Sequence, residues 1–211
     1  MIIVACTSWH KRIKNIPKVI FSLLRQTIKA DLIELNLCTE DFPHKEKDLP
    51  DEVNLLIDNS ILHVNWVDEN TYTFKKFIPT LQKHYGENYH LITIDDDKLY
   101  DRDYIEYLMS NIQDADVFCG NGRNYVCGGL MIYKSSIFEK DFWERLTNDI
   151  IETKIDDTYI NYYLKYRNAK FGSSLNIKKW KPYNECHPTH DYYRKENRIK
   201  IADELSKDLW R

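Results

Sequence analysis

Apolar residues along this chain gather in short β-type runs, separated by stretches with three- and four-residue spacing. The runs are IIVAC (2–6), LIELNLC (32–38), VNLLI (53–57), LHVNWV (62–67), HLITI (90–94), DVFC (116–119) and GLMIY (129–133). Brief runs of this kind read as buried strands. Between the first two, IPKVIFSLLRQT sets Ile16, Val19, Ile20, Leu23 and Leu24 at helical intervals, with Pro17 early, where a missing N–H costs nothing. FKKFIPTLQKHYG (74–86) repeats the pattern with Phe74, Phe77, Ile78 and Leu81. Pro79 must bend that helix or mark its true start, and Gly86 is a stop signal. A third helix is expected over DRDYIEYLMSNI (101–112), with acids in its first turn, and two more at about 135–149 and 156–168. The alternation of strand and helix predicts an α/β fold.

The last stretch, from FGSSLNIKKW onward, turns polar and aromatic without strand alternation. It is expected to wrap the domain and is a candidate lid over a site. Its end, RIKIADELSKDLWR, could be a helix resting on a membrane, but its acids favour a packed or exposed helix. No internal repeat or Gly/Ser linker divides the chain, and 211 residues suit one large α/β domain.

Charge and cysteine content narrow the function classes. The 30 basic and 33 acidic residues are mixed, for a formal charge of -3, so nucleic acid is not an expected partner. Cys6, Cys38, Cys119, Cys127 and Cys186 are an odd, widely spaced set with no CxxC pair, which fits reduced thiols in a cytoplasm. The apolar run at the N-terminus is too short for a membrane span or signal core and reads as the first strand. Fifteen tyrosines raise the aromatic share; rings suit sugar binding, although packing is the commoner use of any one of them.

The stretch HLITIDDDKLYDRDY runs a strand straight into three aspartates. Ligands of open α/β sheets gather beyond the carboxyl ends of strands, and alternate residues of extended chain face one way, so Asp95 and Asp97 can meet one ligand together. Two carboxylates so close call for a shared cation, and oxygen ligands suit Mg²⁺ or Mn²⁺. Helix capping is the competing explanation, but Asp101 or Asp103 could do that work. Gly128 and Gly129 interrupt a strand, which either a β-bulge or a closely approaching ligand would justify. Asp156 and Asp157 precede a helical pattern, where capping accounts for one acid but not two, leaving room for a general base. His187 and His190 are candidates for a metal ligand or a diphosphate contact, or are ordinary tail residues. Lys75, Lys76 and Arg12 read from composition alone as solvated surface charges.

TIDDDKLYDRDYIEYL resembles the D-x-D segment of nucleotide-sugar glycosyltransferases of the GT-A fold, especially the inverting family-2 type. That resemblance implies that Asp95 and Asp97 hold a divalent cation, Mn²⁺ or Mg²⁺, on the donor diphosphate, with Asp96 also at the donor. TSWHKRIKNIPKVIFSLLRQT looks like the family's opening strand, nucleotide loop and first helix, with Thr7, Ser8, Arg12, Ser22, Leu23, Leu24 and Gln26 agreeing. FKKFIPTL is similar to a lysine-bearing helix start that would bring Lys76 to the donor. VCGGLMIYKSSIF resembles the glycine-bearing strand beside the sugar, which implicates Gly128 and Gly129, and KIDDTYINYYL the motif carrying the catalytic base, Asp157 or Asp156. These motifs fall in family order over about residues 2–168. The acid expected after the second strand has no clean counterpart in LNLCTEDFPHK, where Glu40 and Asp41 both fit.

The resemblance implies a single α/β/α sandwich on a mixed, mostly parallel sheet, with a nucleotide-donor half (1–115), an acceptor and catalytic half (116–170) and the tail (171–211). It implies transfer of a sugar, from a UDP-linked donor, to a hydroxyl on a glycan or glycolipid, with inversion, in bacterial surface glycan synthesis such as capsule or lipopolysaccharide. The setting would be the cytoplasm, with peripheral contact at the inner membrane. A sugar-phosphate nucleotidyltransferase would need a glycine-rich loop after the first strand, and CTSWHKRIKN has no glycine. A catalytically silent binding or scaffold subunit is the alternative of another class. Oligomeric state, donor sugar and linkage are not legible.

Overall fold

The computed structural model describes residues 1–120, 125–126, 131–172, 180–182 and 192–210, with side chains for all of these except 180–182 and 192–196. Nine strands are formed among them: β1 (Ile2–Thr7), β2 (Leu32–Cys38), β3 (His63–Val67), β4 (His90–Thr93), β5 (Lys98–Tyr100), β6 (Val117–Cys119), β7 (Met131–Lys134), β8 (Phe171–Gly172) and β9 (Trp180–Pro182). Seven of them make one sheet in the order β3-β2-β1-β4-β7-β6-β8. β1 pairs parallel with β2 and with β4, and β2 parallel with β3; β7 runs against both β4 and β6. The sheet is therefore mixed and mostly parallel.

Its two faces are read directly from strand alternation. Val4, Cys6, Leu35 and Ile92 point to one side, beneath α1 (Ile16–Leu24), α2 (Asp51–Asp58) and α4 (Tyr104–Ile112). Ile3, Ala5 and Leu91 point to the other, beneath α3 (Ile78–Lys83), α5 (Asp141–Glu144), α6 (Asn148–Thr153) and α7 (Asp156–Tyr166). Ile16, Val19 and Ile20 of α1 have no exposed surface, and full burial of such a side chain stabilises by about 1.5–3 kcal/mol. The result is an α/β/α sandwich.

Several boundaries differ from the sequence reading. VNLLI is not a strand but the middle of α2: Pro50 occupies the N-cap, Asp51 and Glu52 fill the first turn, and Val53 and Leu56 are buried while Leu55 is exposed. A three-residue interval between buried positions is helical, and a compact apolar run cannot distinguish it from a strand. Pro79 marks the start of α3 and does not bend it, since a 3-10 turn over Tyr72–Lys76 precedes the helix. Gly86 follows at φ +86, in the left-handed region that suits glycine. The single helix expected at about 135–149 is a 3-10 turn at Ser135–Ile137 followed by α5 and α6.

The tail holds strands that composition did not reveal. β8 pairs parallel with β6 at the sheet edge, and β9 pairs antiparallel with β5, setting Leu99 opposite Lys181. The final helix, α8 (Tyr192–Leu209), packs on α6 and α7. Trp210 closes that contact against the rings of Tyr159, Tyr163 and Tyr166, beneath the Arg145 guanidinium. Among the described residues no helix is long and apolar enough to cross a membrane.

Candidate active site at the carboxyl edge of the sheet

β1, β2 and β4 all end at one edge, and the loops they release line a cleft of about 970 Å³. Further segments complete it: the loop and 3-10 turn between β3 and α3, the junction of α6 with α7, and Ile199 of α8. Thr7, Ser8, Arg12, Lys76, Asp156 and Asp157 all line this cleft, as do Asp95, Asp96 and Asp97. The motifs are far apart in sequence, and the fold brings them together.

Arg12 holds two of the three aspartates, and lysines hold the third. β4 ends at Thr93, and Asp96 and Asp97 form a turn, so the extended geometry expected to align Asp95 with Asp97 does not continue through them. Asp96 is drawn inward: it accepts a hydrogen bond from Ser8 Oγ at 2.7 Å and pairs with Arg12. Burial, reinforced by Asp97 and Asp95 and opposed by Arg12, pushes its carboxyl up to about 6. Asp97 meets Arg12 at 2.9 Å through Oδ2, and its Oδ1 is buried without a hydrogen-bond partner. Asp95 lies 2.7 Å from Lys76 Nζ, also pairs with Lys98, and its backbone N–H donates to the Tyr100 hydroxyl at 2.9 Å. Burial opposes its charge, but the two ammonium groups prevail and hold the carboxyl far below the usual carboxylate range.

Lys76 also reaches Asp156 at 3.6 Å. Burial disfavours its ammonium, yet Asp95, Asp156 and Asp157 more than compensate and raise it well above an ordinary lysine. Asp156 and Asp157 open α7, whose N-cap is Ile155, so neither acid is the cap; in the first turn both face the positive end of the helix dipole. Burial pushes Asp156 up to about 6 in spite of Lys76. The Asn161 side chain braces this end of α7, donating to the Asp157 carbonyl and exchanging hydrogen bonds with the Val126 backbone.

Four buried polar atoms of cleft residues lack hydrogen-bond partners: Trp9 Nε1, Arg12 Nε, Thr73 Oγ1 and Asp97 Oδ1. Buried polar groups are normally satisfied, so their concentration here marks a place where a ligand belongs. Three are donors and suit oxygen-rich groups, while Asp97 Oδ1 is an acceptor that suits a cation. Among the described residues no three His, Cys, Asp or Glu side chains are arranged to hold a metal by themselves. Gly128, Gly129, His187 and His190 lie outside the described residues.

One reading is corrected by this geometry. Lys75 is not a solvated surface charge: it is buried, 2.6 Å from Asn70 Oδ1 and 3.4 Å from Asp41. Of the two acids after β2, Asp41 lines the cleft and also approaches His10 Nδ1 at 3.4 Å. Tyr72 and Lys154 line the cleft as well, and only the pairing of distant loops could have exposed them. Thr7 is at the cleft, but its hydroxyl is committed to the Asn36 carbonyl at 2.7 Å.

No family model matches this chain, and no curated protein does either. Solved structures do. S. aureus TarS 1–349 in complex with UDP-GlcNAc superposes with TM-score 0.58 at 13% identity, over 99% of this chain and 70% of that one. The longer S. aureus TarS structure gives 0.57 at 12% identity, and this chain spans 42% of its length. The mannosyltransferase PcManGT from Pyrobaculum calidifontis, in complex with GDP-Man and Mn²⁺, gives 0.56 at 12% identity over 99% of this chain and 72% of that one. Likeness at such identity speaks for the backbone arrangement, and with the mixed sheet and its edge cleft it shows that the chain adopts the GT-A fold.

Proposed function

We propose that this chain is a glycosyltransferase that moves a sugar from a nucleotide-diphosphate donor to a hydroxyl acceptor. The observation that carries the reading is the convergence of Arg12, Lys76, Asp95–Asp97 and the Asp156–Asp157 pair on one cleft whose buried polar atoms lack partners. The fold-mates bound to UDP-GlcNAc and to GDP-Man with Mn²⁺ support it.

In this reading residues 1–115 hold the donor. Asp41 and the Ser8–Arg12 loop take the nucleoside, and Arg12 and Lys76 face the diphosphate. Asp97, through its unpartnered Oδ1, and Asp95 hold Mn²⁺ or Mg²⁺. A cation bound there would act as a Lewis acid for the diphosphate leaving group. Asp157 or Asp156, in the 116–170 half, takes the proton of the acceptor hydroxyl while its oxygen bonds to the anomeric carbon. The bond from that carbon to the nucleoside diphosphate breaks on the opposite face, which inverts the centre. The value near 6 at Asp156 suits a base working near neutral pH.

A UDP-linked donor, Gly128 and Gly129 beside the sugar, and His187 or His190 at the metal or diphosphate complete the proposal. Bacterial surface glycan synthesis in the cytoplasm is its setting by analogy between folds. The exposed Ile201 of α8 is the apolar residue offered to a membrane surface, while Ile199 lines the cleft.

Calorimetry with UDP, in Mn²⁺ and in EDTA, tests the reading together with release of nucleoside diphosphate from UDP-GlcNAc and GDP-Man. We expect UDP affinity to fall at least about tenfold in EDTA, about 1.4 kcal/mol. Equal affinity would remove the metal. An absence of both nucleotide binding and nucleoside diphosphate release would remove the transferase and leave a silent scaffold.

A further inference from the structure

The lysines and arginines of the cleft are almost all committed to carboxylates. Arg12 is held by Asp96 and Asp97, Lys75 by Asp41, Lys76 by Asp95 and Asp156, and Lys98 by Asp95. Lys154 is different. Among the described residues lining the cleft it is the cation set against an aromatic face, with Nζ 3.8 Å from the centroid of the Tyr72 ring.

Both residues hold left-handed backbone, Tyr72 at φ 48 and Lys154 at φ 58. That conformation is unfavourable for a non-glycine residue, and such residues cluster where function requires a side chain to be aimed. Lys154 caps the end of α6, two residues before Asp156. Tyr72 opens the 3-10 turn that carries Lys76, and its hydroxyl reaches Glu152 Oε1 at 3.4 Å. Beside it in the chain, Thr73 Oγ1 is buried with no partner. The pair thus bridges the two walls of the cleft at the end where Asp156 and Asp157 stand.

A charge-assisted hydrogen bond to an anionic oxygen is stronger than an ammonium's hold on an exposed ring face, so an anion can draw Lys154 off the ring. The uncovered tyrosine face then offers a flat apolar platform of the kind that receives the C–H face of a pyranose. We propose that Tyr72 and Lys154 form an acceptor subsite for a sugar bearing a carboxylate or phosphate, the ring taking the pyranose and the ammonium the acidic group. An acceptor so placed presents a hydroxyl to Asp156 and Asp157. This inference rests on the transferase reading of the same cleft and deepens it by naming an acidic glycan as the acceptor class.

The test is a binding comparison with methyl glucuronide, glucose 6-phosphate and neutral methyl glucoside, and separately with UDP and Mn²⁺. Lys154→Asn and Tyr72→Asn are the variants, since asparagine tolerates left-handed backbone. Wild type should bind an acidic probe at least about fivefold more tightly than methyl glucoside, a difference of about 1 kcal/mol. Lys154→Asn should abolish that preference and keep UDP affinity within about twofold. Tyr72→Asn should weaken all three sugars. Wild type that binds the acidic and neutral sugars alike overturns the proposal, whether or not the variants fold. A tenfold loss of UDP affinity in Lys154→Asn with the sugar preference intact also overturns it, and assigns Lys154 to the donor diphosphate. Acid-selective sugar binding in a protein that fails to bind UDP would sustain the subsite and sink the transferase reading instead.

Discussion

The ammonium of Lys76 reaches Asp156 at 3.6 Å, so the 3-10 turn before α3 is tied to the first turn of α7. The same nitrogen lies 2.7 Å from Asp95 at the end of β4. One cation, 13% exposed, therefore joins the end of β4 to the wall that carries the proposed base.

Removing that cation leaves the buried Asp156 and the partly buried Asp95 with less compensation. Lys76→Met should cost about 3 kcal/mol of stability, as breaking a buried ion pair does by removal of one partner. It should weaken UDP binding in the same variant. Denaturant melts and calorimetry check both, and a variant with wild-type stability would mean that the triad is solvent-screened.

Asp156→Asn and Asp157→Asn separate the two candidate bases. Loss of the true base should lower kcat by about 10²–10⁴ with donor affinity retained, because the base acts on the transition state more than on the ground state. If Asp156 is the base, its carboxyl, pushed up to about 6, must be ionised to act, so the wild-type rate should climb as pH rises through about 6. Wild-type turnover in both variants would place the base elsewhere.

Glu34 offers a pH prediction away from the cleft. It is fully buried on β2, where Lys83 Nζ at 2.7 Å and His84 Nε2 at 3.1 Å approach its Oε1. Burial raises its carboxyl, but Lys83, Thr80 and His84 together outweigh burial and leave it lowered. A lowered folded value means that the unfolded chain binds the proton more readily, so the stabilisation is complete above about pH 4.3 and is lost as pH falls through the folded value. Glu34→Gln should cost about 1–2 kcal/mol at pH 7, with the gap from wild type closing in acid. Melting curves across pH 3 to 7 would show it.

Trp210 tests whether the end of the tail is structural. It is 6% exposed and packed among three tyrosine rings. Trp210→Ala should cost about 3 kcal/mol and lower the Tm by roughly 6–12 °C. An unchanged Tm would show α8 to be loosely attached.

The chain's local patterns determined most of its elements, because strand alternation and three-to-four spacing are properties of adjacent residues. β1, β2, β4, α1 and α7 were legible in that way, and so was the candidacy of Asp95–Asp97 and Asp156–Asp157. VNLLI was misread because four apolar residues in a window of five carry no clear period until burial separates Val53 and Leu56 from Leu55. The tertiary structure alone decided the rest. That Asp96 turns inward to Ser8 and Arg12, that Lys75 is buried against Asp41, and that Lys154 rests on Tyr72 across the cleft all depend on which loops the sheet order brings together. β8 and β9 likewise exist through partners distant in sequence, β6 and β5, whose pairing no short window of the tail encodes. Side-chain charge is written in the sequence, but which charges share a buried space is settled by long-range packing.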